Sequence, residues 1–193
     1  MARTGSTLWV AIMNVASNFS GIGLGFAYVA TLGATGMVTI VLSQVGLASL
    51  APDRDSFPAF VLAYSYVNVP LFVLLVLPAM SVVRDEWWEA AQASSTTRWQ
   101  FWRHVSLPVL APFAAMGWLL VFTWSVGTYA TAYAMAGGAG SDLQLITLSI
   151  GQRLQSSVFG LDRAAALSIL LLSVAVLVLL LYRMIARRAR RWL

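Results

Sequence analysis

The sequence has little charge, no cysteine and no lysine. Charged residues make up 10% of its 193 residues, whereas hydrophobic residues make up 60%. A soluble domain carries roughly 25% charged residues, so this chain has too few to cover a water-facing surface. We therefore predict an integral membrane protein and exclude a soluble enzyme or a nucleic-acid-binding protein. The missing cysteines exclude disulfides, thiolate metal sites and cysteine nucleophiles.

Signals of catalysis and cofactor binding are also missing. The phosphate-binding motif G-x-x-x-x-G-K-[ST] needs a lysine, which the chain lacks. Gly21, Gly23 and Gly25 have no β-α-β context, so we interpret them as small residues that allow close helix packing. His104 is the only histidine and has no acidic residue at metal-ligand spacing, so we predict an interfacial side chain. We expect no catalytic residue, no metal site and no cofactor.

Long uncharged segments predict an all-α fold, a polytopic transmembrane helical bundle. A spanning helix needs about 20 mostly apolar residues. We place four spans at about residues 7–32, 57–82, 107–134 and 163–185. The remaining apolar segment, 35–50, is short and suits an interfacial or re-entrant helix, with a fifth span as the alternative. Residues 1–193 are expected to form a single domain, with Asp162 as the N-cap of the last span.

The arginines predict the orientation of the bundle. If residues 83–106 and both termini face the cytoplasm, nine of the twelve arginines lie on that side. Such an excess is typical of cytoplasmic segments. Five of the nine lie in the last eleven residues: Arg183, Arg187, Arg188, Arg190 and Arg191. We expect both termini in the cytoplasm and this C-terminal cluster against anionic lipid headgroups.

The only sizeable polar segment on the predicted cytoplasmic side, residues 84–108, has the features of two short helices. Acidic residues at 85 and 86 suit a helix N-terminus, and residues 89–93 are strong helix formers. The helix should break at 94–96, after which Thr97 and Gln100 fit a capping box at the start of a second helix. We predict a compact helix–turn–helix protrusion at the membrane surface.

Four tryptophans in this segment admit two interpretations. Trp87, Trp88, Trp99 and Trp102 form either an aromatic surface for a partner or the interfacial belt of an ordinary loop. The residues alone favour neither interpretation.

The spacing within the segment resembles the EAA loop of bacterial ABC importer permeases. That pattern is Glu-Ala-Ala, three residues, Gly, nine residues, Ile, one residue and Leu-Pro. Here Glu89, Ala90 and Ala91 open the pattern, and Leu107 and Pro108 close it in register.

Two positions depart from the pattern. Val105 replaces the isoleucine, which is a mild change. Ser95 replaces the glycine, which enters left-handed backbone conformations more freely than serine does. We expect either a turn that is built differently or a weakened coupling.

Segments outside the loop extend the resemblance to most of the chain. Residues 67–70 and 77–79 are similar to the span before the loop in the polyamine, thiamine and iron-type branch. Residues 26–42 are similar to the third span and the following extracellular loop of a six-span permease. The first two spans of the family would be absent.

The resemblance implies a transmembrane permease subunit of an ABC import system in the bacterial inner membrane. Its implied partners are a separate ATPase subunit, a second permease subunit and a periplasmic or lipid-anchored substrate-binding protein. The resemblance places Glu89 in a charge contact with the ATPase and Ala90 and Ala91 at a close helix approach. The other coupling candidates are Ser95, Gln100, Leu107 and Pro108. Arg98 and Arg103 are assigned to lipid headgroups instead.

Two polar residues in the second span are candidates for the substrate pathway. Tyr64 and Asn68 are four residues apart and so share a helix face. Interhelical hydrogen bonding is the other interpretation of both side chains. For the whole chain, the alternative to a permease is a structural or assembly membrane protein whose loop binds another cytosolic partner.

Overall fold

Every regular element is helical in the part of the chain that the computed structural model describes, residues 2–33, 35–47, 56–136, 145–156 and 160–189. The α-helices are α1 (Ala2–Asn18), α2 (Ile22–Leu32), α3 (Met37–Gln44), α4 (Phe57–Val76), α5 (Asp85–Ala93), α6 (Arg98–Phe101), α7 (Leu107–Gly127), α8 (Ala130–Ala136), α9 (Ile146–Ser156) and α10 (Leu161–Ala189). A 3₁₀ segment, Leu77–Val82, continues α4, and a π-helical segment, Trp102–Ser106, joins α6 to α7. The predicted all-α fold is confirmed.

Four helical stretches of the described residues are long and apolar enough to cross a membrane. They are Ile22–Gln44, Phe57–Val82, Arg98–Gly127 and Leu161–Ala189. The predicted number is therefore confirmed, and so are the positions of the second and fourth spans. The first and third spans lie elsewhere than predicted.

The predicted first span, residues 7–32, is wrong because the helix is interrupted before α2. Gly21 has a φ of +74°, a conformation that glycine adopts without a steric penalty from Cβ. α1 ends at Asn18, before this break, and packs along α4. The candidate span instead combines α2 with α3, which belongs to the segment predicted as interfacial. Residues 48–50 of that segment lie outside the described residues.

The predicted third span, 107–134, is too long at its C-terminal end. α7 ends at Gly127, and Thr128 has an extended ψ of 110°. The chain then forms α8, which packs against α2 and does not continue α7. The contact is close: a Cβ on Gly25 would lie 2.5 Å from the Cβ of Ala134. The interpretation of Gly25 as a close-packing residue is therefore confirmed, whereas Gly21 and Gly23 face open space.

The core lies where α2, α4, α8 and α9 meet. Tyr28, Phe60 and Met135 are its large members, and Ala59 and Ala132 fill the spaces between the helices. α10 packs outside this core, against α7 and α9. Because α10 begins at Leu161, Asp162 lies inside its first turn and is not the N-cap that was predicted.

Candidate coupling loop

The turn between α5 and α6 has the hydrogen bonds of a Schellman motif. The Ser95 N–H donates to the carbonyl of Gln92 at 2.9 Å, and the Thr96 N–H donates to the carbonyl of Ala91 at 3.0 Å. Ser95 has a φ of +58°, the left-handed conformation that usually takes glycine at this position. Serine therefore adopts at this position the conformation that glycine usually takes in a Schellman motif.

A capping box begins α6, as predicted. The Gln100 N–H donates to Thr97 Oγ1 at 3.4 Å, and the Thr97 N–H donates to Gln100 Oε1 at 3.0 Å. The two reciprocal bonds satisfy donors that a helix N-terminus would otherwise leave free. Turn and cap together fix the direction in which α6 leaves α5.

An aromatic contact joins the two arms of the loop. The rings of Trp88 and Phe101 meet edge to face, with their centroids 5.2 Å apart. The Arg98 guanidinium carbon lies 5.7 Å from the centre of the Trp88 ring, within the range of a cation–π contact. Phe101 is only 5% exposed, so this contact is the small core of the loop. Trp88 therefore packs inside the protrusion and does not belong to an outer aromatic surface.

An open groove of about 800 Å³ runs between the two arms. Four predicted coupling residues line it: Ala90, Ala91, Ser95 and Gln100. His104 also lines it, and its Nδ1 is 3.0 Å from the carbonyl oxygen of Gln100. Apart from Trp87, the side chains on the α5 wall are small and leave this groove open to an approaching helix.

The remaining coupling candidates lie outside the groove. Glu89 is exposed on α5, and within the described residues its carboxylate forms no ion pair. Leu107 and Pro108 are exposed at the first turn of α7. The structure thus gathers four of the seven candidates at one surface and places the other three beside it.

The π segment between α6 and α7 was not predicted. It ends at Ser106, which is 0% exposed and whose hydroxyl has no hydrogen-bond partner. Pro108 follows at the start of α7 and has no N–H to donate to the preceding turn. That proline was the sequence signal for an irregular helix here, since π segments occur where the usual backbone ladder is disturbed and often at functional sites.

The two pathway candidates both connect α4 with the end of α7. The Tyr64 hydroxyl donates to the carbonyl of Thr128 at 3.1 Å, and Asn68 Nδ2 donates to Ser125 Oγ at 2.7 Å. Tyr64 also lines an apolar cavity of about 350 Å³ between the starts of α4 and α9 and the end of α7. Both side chains thus form interhelical hydrogen bonds, which was the alternative to a place in the substrate pathway. Their role in that pathway stays a prediction.

The structure has four candidate spans, and a helix–turn–helix loop with a defined conformation lies between the second and the third. These features define a multi-pass membrane protein with an ordered loop outside the bilayer. Residues 6–191 match the family described as the binding-protein-dependent transport system inner membrane component. Because the match covers nearly the whole sequence, the chain belongs to this family, and it is a multi-pass protein of the inner membrane.

Several curated proteins that are similar to this chain are named as permease proteins of transport systems. The chain is 32% identical over 117 residues, 61% of its length, to the sulfate transport system permease protein CysT of Escherichia coli (strain K12), covering 42% of that protein. It is 30% identical over 170 residues, 83% of its length, to the thiamine transport system permease protein ThiP of Brucella suis biovar 1 (strain 1330), covering 30% of it.

A third relative is the molybdenum transport system permease protein ModB of Mycobacterium bovis (strain ATCC BAA-935 / AF2122/97). It is 30% identical over 157 residues, 81% of this chain and 56% of that protein. The chain therefore spans between about a third and just over half of the length of these relatives. No solved structure matches the chain. The thiamine relative agrees with the predicted polyamine, thiamine and iron-type branch, whereas the polyamine type stays a prediction, since none of these three relatives is named for a polyamine.

Proposed function

We propose that the chain is a permease subunit of an ABC import system, in which it forms part of the substrate pathway and couples to a separate ATPase subunit through residues 84–108. The observation that carries the proposal is the construction of this loop. A Schellman turn, a capping box and the Trp88–Phe101 contact hold its two arms in one arrangement. A held helix pair transmits a displacement, whereas a flexible loop would absorb it.

The chemistry of the loop fits docking onto another protein. The groove presents Ala90, Ala91 and Ser94, whose small side chains allow a partner helix to approach closely. Glu89 lies beside the groove as an exposed carboxylate and is available for a basic group of the ATPase. A few well-placed contacts of this kind commonly supply most of the binding energy of an interface.

The remaining partners follow from the family and from the surface of the bundle. The family name specifies dependence on a binding protein, which supports a periplasmic or lipid-anchored subunit that delivers the solute. α10 exposes a long apolar surface that includes Ile169, Leu172 and Leu179, as lipid or a second permease subunit would require. We assign ATP hydrolysis to the separate ATPase subunit, because the chain has no lysine for a phosphate-binding loop.

A charge reversal at Glu89 tests the proposal. The chain is co-purified with a candidate ATPase subunit, first unchanged and then as Glu89→Arg, and substrate-stimulated ATP hydrolysis is measured on the complexes. We expect Glu89→Arg to lose complex formation or stimulation. Glu86→Arg is the matched control, because Glu86 lies on the same helix and is also exposed.

Two outcomes would contradict the proposal. Full assembly and full stimulation in Glu89→Arg would remove Glu89 from the contact. Capture of a different cytosolic protein by the loop, without any transport activity, would favour the structural or assembly protein.

A further inference from the structure

The helix that carries the second arm of the loop is longer than the membrane is thick. α6, the π segment and α7 form one helical stretch, Arg98–Gly127, of 30 residues. At about 1.5 Å per residue it is about 45 Å long, whereas the hydrocarbon core is about 30 Å thick. The charged residues of this stretch, Arg98 and Arg103, both lie in its first six positions. The N-terminal end is therefore the end that projects through the headgroup layer.

This projecting end has two different faces. Gln100, Phe101 and His104 line the groove of the loop. Trp99 and Trp102 do not line it, and they are 72% and 46% exposed. Positions i, i+3 and i+4 of a helix are neighbours, so Trp99, Trp102 and Arg103 share one face.

The charge of this face indicates the kind of surface that it can bind. Arg103 is exposed, and the projecting end carries no acidic residue, since the acidic residues of the loop, Asp85, Glu86 and Glu89, all lie on α5. A face with exposed tryptophan and arginine and no carboxylate is complementary to a layer of anionic headgroups.

We propose that Trp99, Trp102 and Arg103 form an interfacial anchor that binds anionic phospholipid at the membrane surface. The uncharged run of the helix begins at Val105, so the Cα of Trp102 lies about 5 Å and that of Trp99 about 9 Å outside it along the helix axis. Each headgroup layer is about 5–8 Å deep. Trp102 thus lies within that layer, and Trp99 lies at its outer edge.

The anchor separates two of the four tryptophans of the loop from the other two. Trp87 lines the groove and Trp88 packs between the arms, whereas Trp99 and Trp102 face the lipid. The anchor sets the depth of the loop relative to the bilayer. It does not depend on the proposed coupling function, because it requires only that the chain is inserted in a membrane.

Quenching of tryptophan fluorescence by brominated lipid tests the anchor. The full chain is reconstituted in vesicles of equal parts phosphatidylglycerol and phosphatidylcholine, and one of the two lipids at a time carries bromine on its acyl chains near the headgroup. We expect Trp102→Phe, and to a smaller extent Trp99→Phe, to remove part of the fluorescence that bromine quenches. Brominated phosphatidylglycerol should quench more strongly than brominated phosphatidylcholine.

Three further variants serve as controls for the quenching measurement. Trp87→Phe changes a groove residue and should leave the bromine-quenched fraction unchanged, whereas Trp118→Phe changes an exposed residue of the span and should reduce it. Arg103→Gln keeps every tryptophan, and it should remove the preference for phosphatidylglycerol while quenching persists.

Two results would overturn the proposal. The anchor is wrong if the fluorescence lost in Trp99→Phe and Trp102→Phe is quenched by aqueous iodide and not by bromine. Equal quenching by the two brominated lipids in the unchanged chain would refute the assignment to anionic phospholipid.

Discussion

The left-handed serine at the loop turn leads to a quantitative prediction. Ser95 has a φ of +58°, and its N–H and that of Thr96 close the Schellman motif. A left-handed conformation costs an L-residue roughly 1–2 kcal/mol, a penalty that glycine does not pay. Glycine in turn gains roughly 0.4–1 kcal/mol of conformational entropy in the opened chain. Ser95→Gly should therefore stabilise the closed turn by about 0.5–1 kcal/mol.

Hydrogen exchange at the turn measures this difference directly. About 0.5–1 kcal/mol corresponds to a roughly two- to fivefold smaller open population, so the amides of Ser95 and Thr96 should exchange about two- to fivefold more slowly in Ser95→Gly. Ser95→Val should exchange faster than the unchanged chain, because a β-branched residue at positive φ is strongly disfavoured.

The neighbouring serine is a control with the same chemistry. Ser94 has a φ of −89°, so glycine there relieves no strain; it adds flexibility to the opened chain and removes the bond that the Ser94 hydroxyl donates to the carbonyl of Ala90 at 3.2 Å. Ser94→Gly should leave the exchange of the turn amides unchanged or make it faster. Faster exchange in Ser95→Gly, or the same slowing in both variants, would refute the conclusion that Ser95 carries a conformational cost.

Four further predictions concern the loop, the bundle and its orientation. Trp88→Ala should separate the two arms and destabilise the loop by about 1–2 kcal/mol, whereas Trp88→Phe should keep part of the aromatic contact and destabilise it less. Faster cleavage of the loop in limited proteolysis would show the difference. Gly25→Ala should lower the free energy of unfolding in detergent by about 1–3 kcal/mol, because its Cβ meets α8, whereas Gly23→Ala should leave it unchanged or raise it. Asn68→Leu should cost roughly 0.6 kcal/mol in the same measurement, and a larger loss of transport than of stability would support a pathway role. A reporter fused after Arg191 should score cytoplasmic, and an external score would reverse the proposed orientation.

The position and length of a helix can be predicted from the sequence where they depend only on residues within or next to that helix. The span Phe57–Val82 was placed correctly because polar residues bound it on both sides. The capping box at Thr97 and Gln100 was also predictable, since its bonds join residues three apart and depend on no other part of the fold.

The bounds of the first and third spans were predicted wrongly, because they depend on contacts between segments that are distant in sequence. No charged residue lies within 7–32 or 107–134, so a span drawn between charges runs across the breaks before α2 and after α7, although Asn18, Ser20 and Gly21 mark the first break. In the folded chain, the Thr131 hydroxyl donates to the carbonyl of Gly21 at 3.0 Å and the Tyr64 hydroxyl donates to that of Thr128 at 3.1 Å. These bonds satisfy carbonyls at the two breaks, and each joins residues far apart in sequence.

The candidate site shows the same division. That residues 84–108 form two helical arms joined by a turn follows from the sequence, because charge, helix formers and a capping signal act locally. The positions of the aromatic residues depend on how the two arms pack together: Trp88 packs against Phe101 across the turn, whereas Trp99 and Trp102 face outward. Identical side chains took different roles because burial depends on how the two arms are oriented, and the backbone of Ser95 and the hydrogen bonds around it set that orientation.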